Sequence, residues 1–161
     1  MTNKKIKIHI KNNHWAAGSF PTDEEGEKNF TITQDRFNKV LDKYPDLKDK
    51  IETFVDWDED NFEKSISNSN ILIAWNFPTE RLIEKAPDLK WIHVVSAGVE
   101  HLLPLTWMSD NMILTNSSGA HAKKAGEYGL MAILMLQNHM TKIITNQKNK
   151  KFVSLFSNPV H

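Results

Sequence analysis

Five short apolar stretches, separated by helix-like segments and turns, constrain this chain more than any other feature. They run Lys5–Ile10, Ile51–Trp57, Ile71–Trp75, Trp91–Val95 and Ile113–Thr115, each the length of a strand. Between them lie segments of helical character. Thr33–Tyr44 places Phe37, Val40, Leu41 and Tyr44 on one face and is stopped by Pro45. Asn61–Ile66 predicts a short helix with Asp58 or Asp60 as its cap. Thr79–Ala86 predicts another, ended by Pro87, and Val99–Leu103 a single helical turn. Lys11–Phe30 is polar, with Pro21, Gly18, Gly26 and the acidic run Asp23-Glu24-Glu25, and is expected as a long solvated loop.

Strands alternating with helices on short connections call for a parallel sheet with helices on both faces. Five strands in this pattern fit a flavodoxin-like, doubly wound α/β fold of order 2-1-3-4-5. The second stretch alternates apolar with polar residues and belongs at the edge, whereas Ile71–Trp75 and Trp91–Val95 are continuously apolar and are expected to be covered on both faces. A long helix is expected from about Ala120 to beyond Ile143. The chain therefore divides into a sheet domain, 1–118, and a helix with its tail, 119–161.

Composition removes several function classes. The 161 residues carry 20 basic and 20 acidic side chains with no basic stripe, so neither nucleic acid nor a membrane surface is an expected partner. The longest apolar run, Tyr128–Leu136, is far shorter than the ~20 residues of a membrane span. Cysteine is absent, which excludes disulfides and thiolate metal sites and fits a cytoplasmic location.

Ligands of such sheets bind beyond the carboxyl ends of the strands, which directs attention to the segments after Ile10, Trp75, Val95 and Thr115. After the fourth strand comes Ser96-Ala97-Gly98-Val99-Glu100, small residues at a strand-to-helix turn. Exposed backbone N–H groups there can hold a carboxylate or phosphate. The same residues also admit a structural reading, with Gly98 permitting a tight turn and Ser96 capping the helix.

The succession around that turn is more specific than the turn alone. Ala86-Pro87-Asp88-Leu89-Lys90-Trp91-Ile92 leads into it, Leu114-Thr115-Asn116-Ser117-Ser118-Gly119-Ala120-His121 follows, and Ala125-Gly126-Glu127-Tyr128 opens an apolar helix. In order and spacing, this half of the chain resembles the D-isomer-specific 2-hydroxyacid dehydrogenases. The resemblance implies an NAD(P)-dependent oxidoreductase acting on a CH–OH group beside a carboxylate. It implies that main-chain donors at Ser96, Ala97, Gly98 and Val99 hold the substrate carboxylate and that Asn76 and Phe77 border the same cleft. It further implies that the helix from Ala120 leads into a coenzyme domain and contributes to a dimer interface. His121, near the start of that helix, is the one candidate cofactor contact; Ala122 stands where relatives often carry a threonine.

What the resemblance calls for and these residues lack is equally informative. The glycines are Gly18, Gly26, Gly98, Gly119, Gly126 and Gly129, and no three have the G-x-G-x-x-G spacing that brings a backbone close to a pyrophosphate. Arg36 and Arg81 are the only arginines, both on predicted helices with a solvated position as the default. The family's catalytic arginine, acid and histidine have no counterpart, so no catalytic residue is assigned. The expectation is a substrate domain truncated before its coenzyme core, binding neither NAD nor NADP alone and inactive alone. Two alternatives stand beside it: a stand-alone or split carboxylate-binding module, and an oligomerisation protein working through helix 120–145. Of the remaining histidines, His93 reads as a satisfied core residue. His9, His14, His101 and His139 form no metal-ligand spacing, and no metal site is expected. Trp75, Trp91 and Trp107 read as core or cleft walls.

Overall fold

The computed structural model describes residues 5–16, 18, 23–59 and 61–155, apart from the side chains of 23 and 25–27. It contains the strands β1 (Ile6–Asn12), β2 (Ile51–Trp57), β3 (Ile71–Ala74), β4 (Trp91–Val94) and β5 (Ile113–Asn116). All pair in parallel, in the order β2-β1-β3-β4-β5 expected from the sequence. The register sets Asp56, Lys11, Ala74, Val94 and Asn116 in one row at the carboxyl edge. Every loop singled out above therefore leaves the sheet at the same end.

The helices are α1 (Asp23–Phe30), α2 (Gln34–Leu41), α3 (Pro45–Lys48), α4 (Phe62–Ile66), α5 (Leu82–Lys85), α6 (Ala122–Gln137) and α7 (Met140–Lys148), with 3-10 turns at Glu100–Leu102 and Leu105–Trp107. One sheet face carries the main core. Leu72, Ala74, Ile92 and Val94 pack there with Phe62 and Ile66 of α4, Leu82 of α5 and Leu102. On the other face, Gln34 of α2 donates to Thr53 Oγ1 of β2 at 2.8 Å.

Four expectations change. The segment read as a long loop contains α1, whose polar sequence hid it. Neither Asp58 nor Asp60 is seen to cap α4, which begins after Asn61 without a side-chain cap bond: Asp58 accepts from His14 N and Asp60 lies outside the described residues, while α2 is capped by Thr33, accepting from Arg36 N at 3.2 Å. β3 and β4 alternate between buried and partly exposed positions instead of being covered on both faces: Ile71, Ile73 and His93 are half-buried and Trp91 is 40% exposed. The long C-terminal helix is present as α6, but His139 adopts a left-handed conformation, φ 54°, and separates it from α7.

By its internal contacts the chain forms two compact units, 1–118 and 119–161. In the second unit α6 has no buried residue, and Tyr128, Leu130, Ile133 and Leu136 are all well exposed. Among the described residues no helix is long and apolar enough to cross a membrane.

Candidate functional site

Four loops, after β1, β3, β4 and β5, leave the sheet at the carboxyl edge, and the one after β4 carries the free donors. Val95 N continues the ladder to Ala74 O at 3.0 Å, and Ser117 N donates to Ser96 O at 3.0 Å, tying this turn to the loop after β5. Ser96 does not cap the following 3-10 turn. Its hydroxyl folds back and donates to Gly98 O at 2.7 Å, closing the carbonyl side of the turn. Among the described residues the N–H groups of Ala97, Gly98 and Val99 meet no acceptor. A Cβ at Gly98 would meet only the carboxylate end of the exposed Glu100 side chain, which lies over this turn.

The loop after β3 is gripped by two side chains. Trp75 O accepts from His101, 2.9 Å to Nε2, so the Nε2–H tautomer is fixed by a carbonyl that can only accept. Asn76 O accepts from Lys11 Nζ at 2.8 Å. Lys11 is the last-but-one residue of β1, its side chain is fully buried, and its ammonium also lies 3.3 Å from Glu59 Oε1. A buried ammonium demands such partners. Asn76 Oδ1 in turn accepts from Phe77 N at 3.0 Å. Phe77 is buried, with its ring edge-on to Trp107 at 5.6 Å, so only its main chain remains for a cleft.

The loop after β1, one of the segments singled out in the sequence, leaves the sheet at this same edge. Asn12 pairs with Ile32 in both directions, donating to its carbonyl at 3.1 Å and accepting from its N–H at 2.9 Å. Arg36, expected to be solvated, donates to Thr31 O and Lys28 O at 2.6 Å each, joining α1 to α2. Arg81 is exposed and paired with Glu84, as a solvated residue would be. His14 stacks on Trp57 at 4.5 Å and is gripped by the Asp58 carboxylate through both its N–H and Nδ1. Asp58 takes a left-handed φ of 47° to do this. Partial burial works to raise the Asp58 pKa, but the hydrogen bonds and charge of His14 outweigh it and hold the carboxyl below its ordinary value.

His9 is buried in β1 with its Nε2 3.2 Å from Asp56 Oδ2, without hydrogen-bond alignment. Burial lowers its pKa, against the pull of Asp56. His93 behaves as the satisfied residue expected, with Nδ1 3.0 Å from Thr115 Oγ1 and Nε2 3.4 Å from Ser117 Oγ. His121 lies in the second unit, exposed, at the position before α6 and without a side-chain capping bond. Gly126 and Gly129 fall inside α6, where their backbone N–H groups are committed to the helix. These residues do not fit a dinucleotide's pyrophosphate. Among the described residues no group of three metal-ligating side chains occurs.

The family model for the D-isomer specific 2-hydroxyacid dehydrogenase catalytic domain matches residues 32–157. The chain belongs to this family. Solved dehydrogenase structures show the same fold. A probable 2-hydroxyacid dehydrogenase from Rhizobium etli CFN 42, in complex with NADP, HEPES and L(+)-tartaric acid, is 16% identical with a TM-score of 0.59 over 96% of this chain and 42% of its own. A D-isomer specific 2-hydroxyacid dehydrogenase family protein from Aeromonas salmonicida subsp. salmonicida A449 is 20% identical, with a TM-score of 0.59 over 94% of this chain and 42% of its own. One from Klebsiella pneumoniae 342 is 18% identical, with a TM-score of 0.54 over 99% and 43%. The chain thus spans about two-fifths of the length of these dehydrogenases. Comparison with curated proteins finds no match.

Proposed function

We propose that this chain is the substrate-holding part of an NAD(P)-dependent 2-hydroxyacid dehydrogenase, and that it binds a small 2-hydroxy or 2-keto carboxylate through the N–H groups of Ala97, Gly98 and Val99. The observation that carries this reading is the set of three unpaired donors on a turn whose carbonyl side Ser96 has closed. Family membership supplies the carboxylate as their acceptor. Asn76 and the main chain of Phe77 border the ligand, while the residues that hold the nicotinamide and transfer the proton lie outside this chain. In a complete enzyme the cofactor, NAD or NADP, would accept or deliver the hydride, with His121 as a candidate contact. The chain alone turns nothing over. It acts in the cytoplasm and self-associates through α6.

Two measurements test this together. NADH with a panel of 2-keto acids should show no loss of absorbance above buffer when the pure 161-residue chain is added. Titration with glyoxylate should move the amide resonances of Ala97, Gly98 and Val99 first, with an affinity of about millimolar or weaker, since one anion site must offset its own ordering cost. Reproducible turnover, or shifts confined to other loops, would reject the reading.

A further inference from the structure

Beside the candidate turn, three aromatic rings from three different segments close on one another. Trp15 meets Trp75 at 5.4 Å and 85°, Phe30 meets Trp75 at 5.3 Å and 89°, and Trp15 meets Phe30 at 5.9 Å and 62°. All three pairs are edge-to-face, within the separations at which such pairs attract. Each residue is half-buried, as expected of rings that pack on one side and reach the surface on the other.

The triad is clamped from behind. Trp75 O and Asn76 O are held by His101 and by the buried Lys11. Phe30 ends α1, and the next two residues are tied down by the Arg36 bond to Thr31 O and the two-way pairing of Asn12 with Ile32. The space the rings enclose with Ile10, Ile73 and Val95 is about 10 Å³, roughly the room one water needs and far less than a side chain.

The triad adjoins the carboxylate donors along the chain and through a hydrogen bond. Val95 lines the enclosed space and stands two residues before Ala97, and His101, which grips Trp75 O, belongs to the 3-10 turn that follows Val99. In a 2-hydroxy acid the substituent stands two bonds from the carboxylate carbon. A carboxylate seated on Ala97–Val99 therefore brings its substituent within a few bond lengths of the residues flanking that turn.

We propose that Trp15, Phe30 and Trp75 form a fixed apolar wall that restricts the ligand of the Ala97–Val99 turn to acids whose substituent is a methyl group or smaller. The wall excludes bulk because its rings leave no room for a side chain between them, and Lys11, Asn12, Arg36 and His101 hold the main chain beside Phe30 and Trp75. This rests on the carboxylate reading above, so the test has an arm that does not involve a carboxylate.

Lactate, 3-phenyllactate and benzene are titrated into the full chain, reading the amides of Ala97, Gly98 and Val99 and the indole N–H signals of Trp15 and Trp75. In the unmodified protein lactate should bind at least tenfold more tightly than phenyllactate, and benzene should leave both indoles unmoved. Phe30→Ala should bring phenyllactate to within threefold of lactate and let benzene shift the Trp15 and Trp75 indoles. Phe30→Leu, which keeps more of the packing, should give a smaller change in the same direction if the alanine variant fails to fold. Equal binding of the two acids by the unmodified protein, benzene entering it, or a folded Phe30 variant with unchanged discrimination would overturn the proposal. If lactate moves none of the three amides, the carboxylate site is rejected and the wall's part in substrate choice with it. Benzene entering Phe30→Ala alone would then still identify the closed triad as real.

Discussion

At the scale of single residues, the polar side chains of β1 carry more than their sequence suggests. Ile6-Lys7-Ile8-His9-Ile10 alternates, as a strand with one solvated face does, yet His9 and Lys11 are buried as deeply as Ile10. Their acceptors come from β2 and beyond: Asp56 for His9, and Glu59 with Asn76 O for Lys11. Those partners are 47 to 65 positions away in the chain, and no local pattern announces them. The burial of His9 has a consequence for stability. Its folded pKa lies below the ordinary 6.5, so the unfolded chain takes up a proton more readily as pH falls through that value. The protein should therefore lose stability from about pH 6.5 downward, toward the lowered folded-state value. Asp56, which also accepts from Ser65, and Lys11 are the other charged groups facing this ring. His9→Leu should flatten the decline in urea midpoint between neutral and mildly acid pH. An equally steep decline in that variant would place the sensitivity elsewhere.

At the scale of elements, local signals fared well where they were strong. The five apolar stretches became the five strands, and the half-buried pattern of β2 placed it at the edge. Burial on both faces of β3 and β4 was a misreading of Ile71–Trp75 and Trp91–Val95, because an apolar run is equally compatible with one buried and one partly exposed face. Helix α1 went unseen because Asp23–Phe30 has no apolar stripe; its place is fixed by Arg36 and Phe30 reaching to neighbouring segments. The donors at Ala97–Val99 were legible from small residues after a strand, whereas the Trp15–Phe30–Trp75 wall was not, since its rings come from distant segments. Helix α6 raises a different expectation. Leu130, Ile133 and Leu136 are each more than half exposed, forming an apolar surface that monomers rarely leave open. Burying several such side chains, at roughly 1.5–3 kcal/mol each, competes with the cost of association. Leu130→Glu combined with Leu134→Glu should convert an associating chain into a monomer in analytical ultracentrifugation while leaving the sheet folded. A chain already monomeric at tens of micromolar would remove the support for self-association.

For the molecule as a whole, residues 32–157 match a dehydrogenase catalytic domain, and no three of the glycines have the G-x-G-x-x-G spacing. What the fold does supply is one organised edge, where buried Lys11 and Asn12 and the exposed His101 hold the loops and three backbone donors meet no acceptor among the described residues. The central claim is that those donors hold a carboxylate. Its most direct test is a crystal structure of the chain grown with a high concentration of lactate. The expected result is a lactate carboxylate at about 2.7–3.2 Å from the backbone nitrogens of Ala97, Gly98 and Val99, with the Glu100 side chain moved off Gly98 to make room. Lactate bound elsewhere while Glu100 still covers the turn would contradict the account.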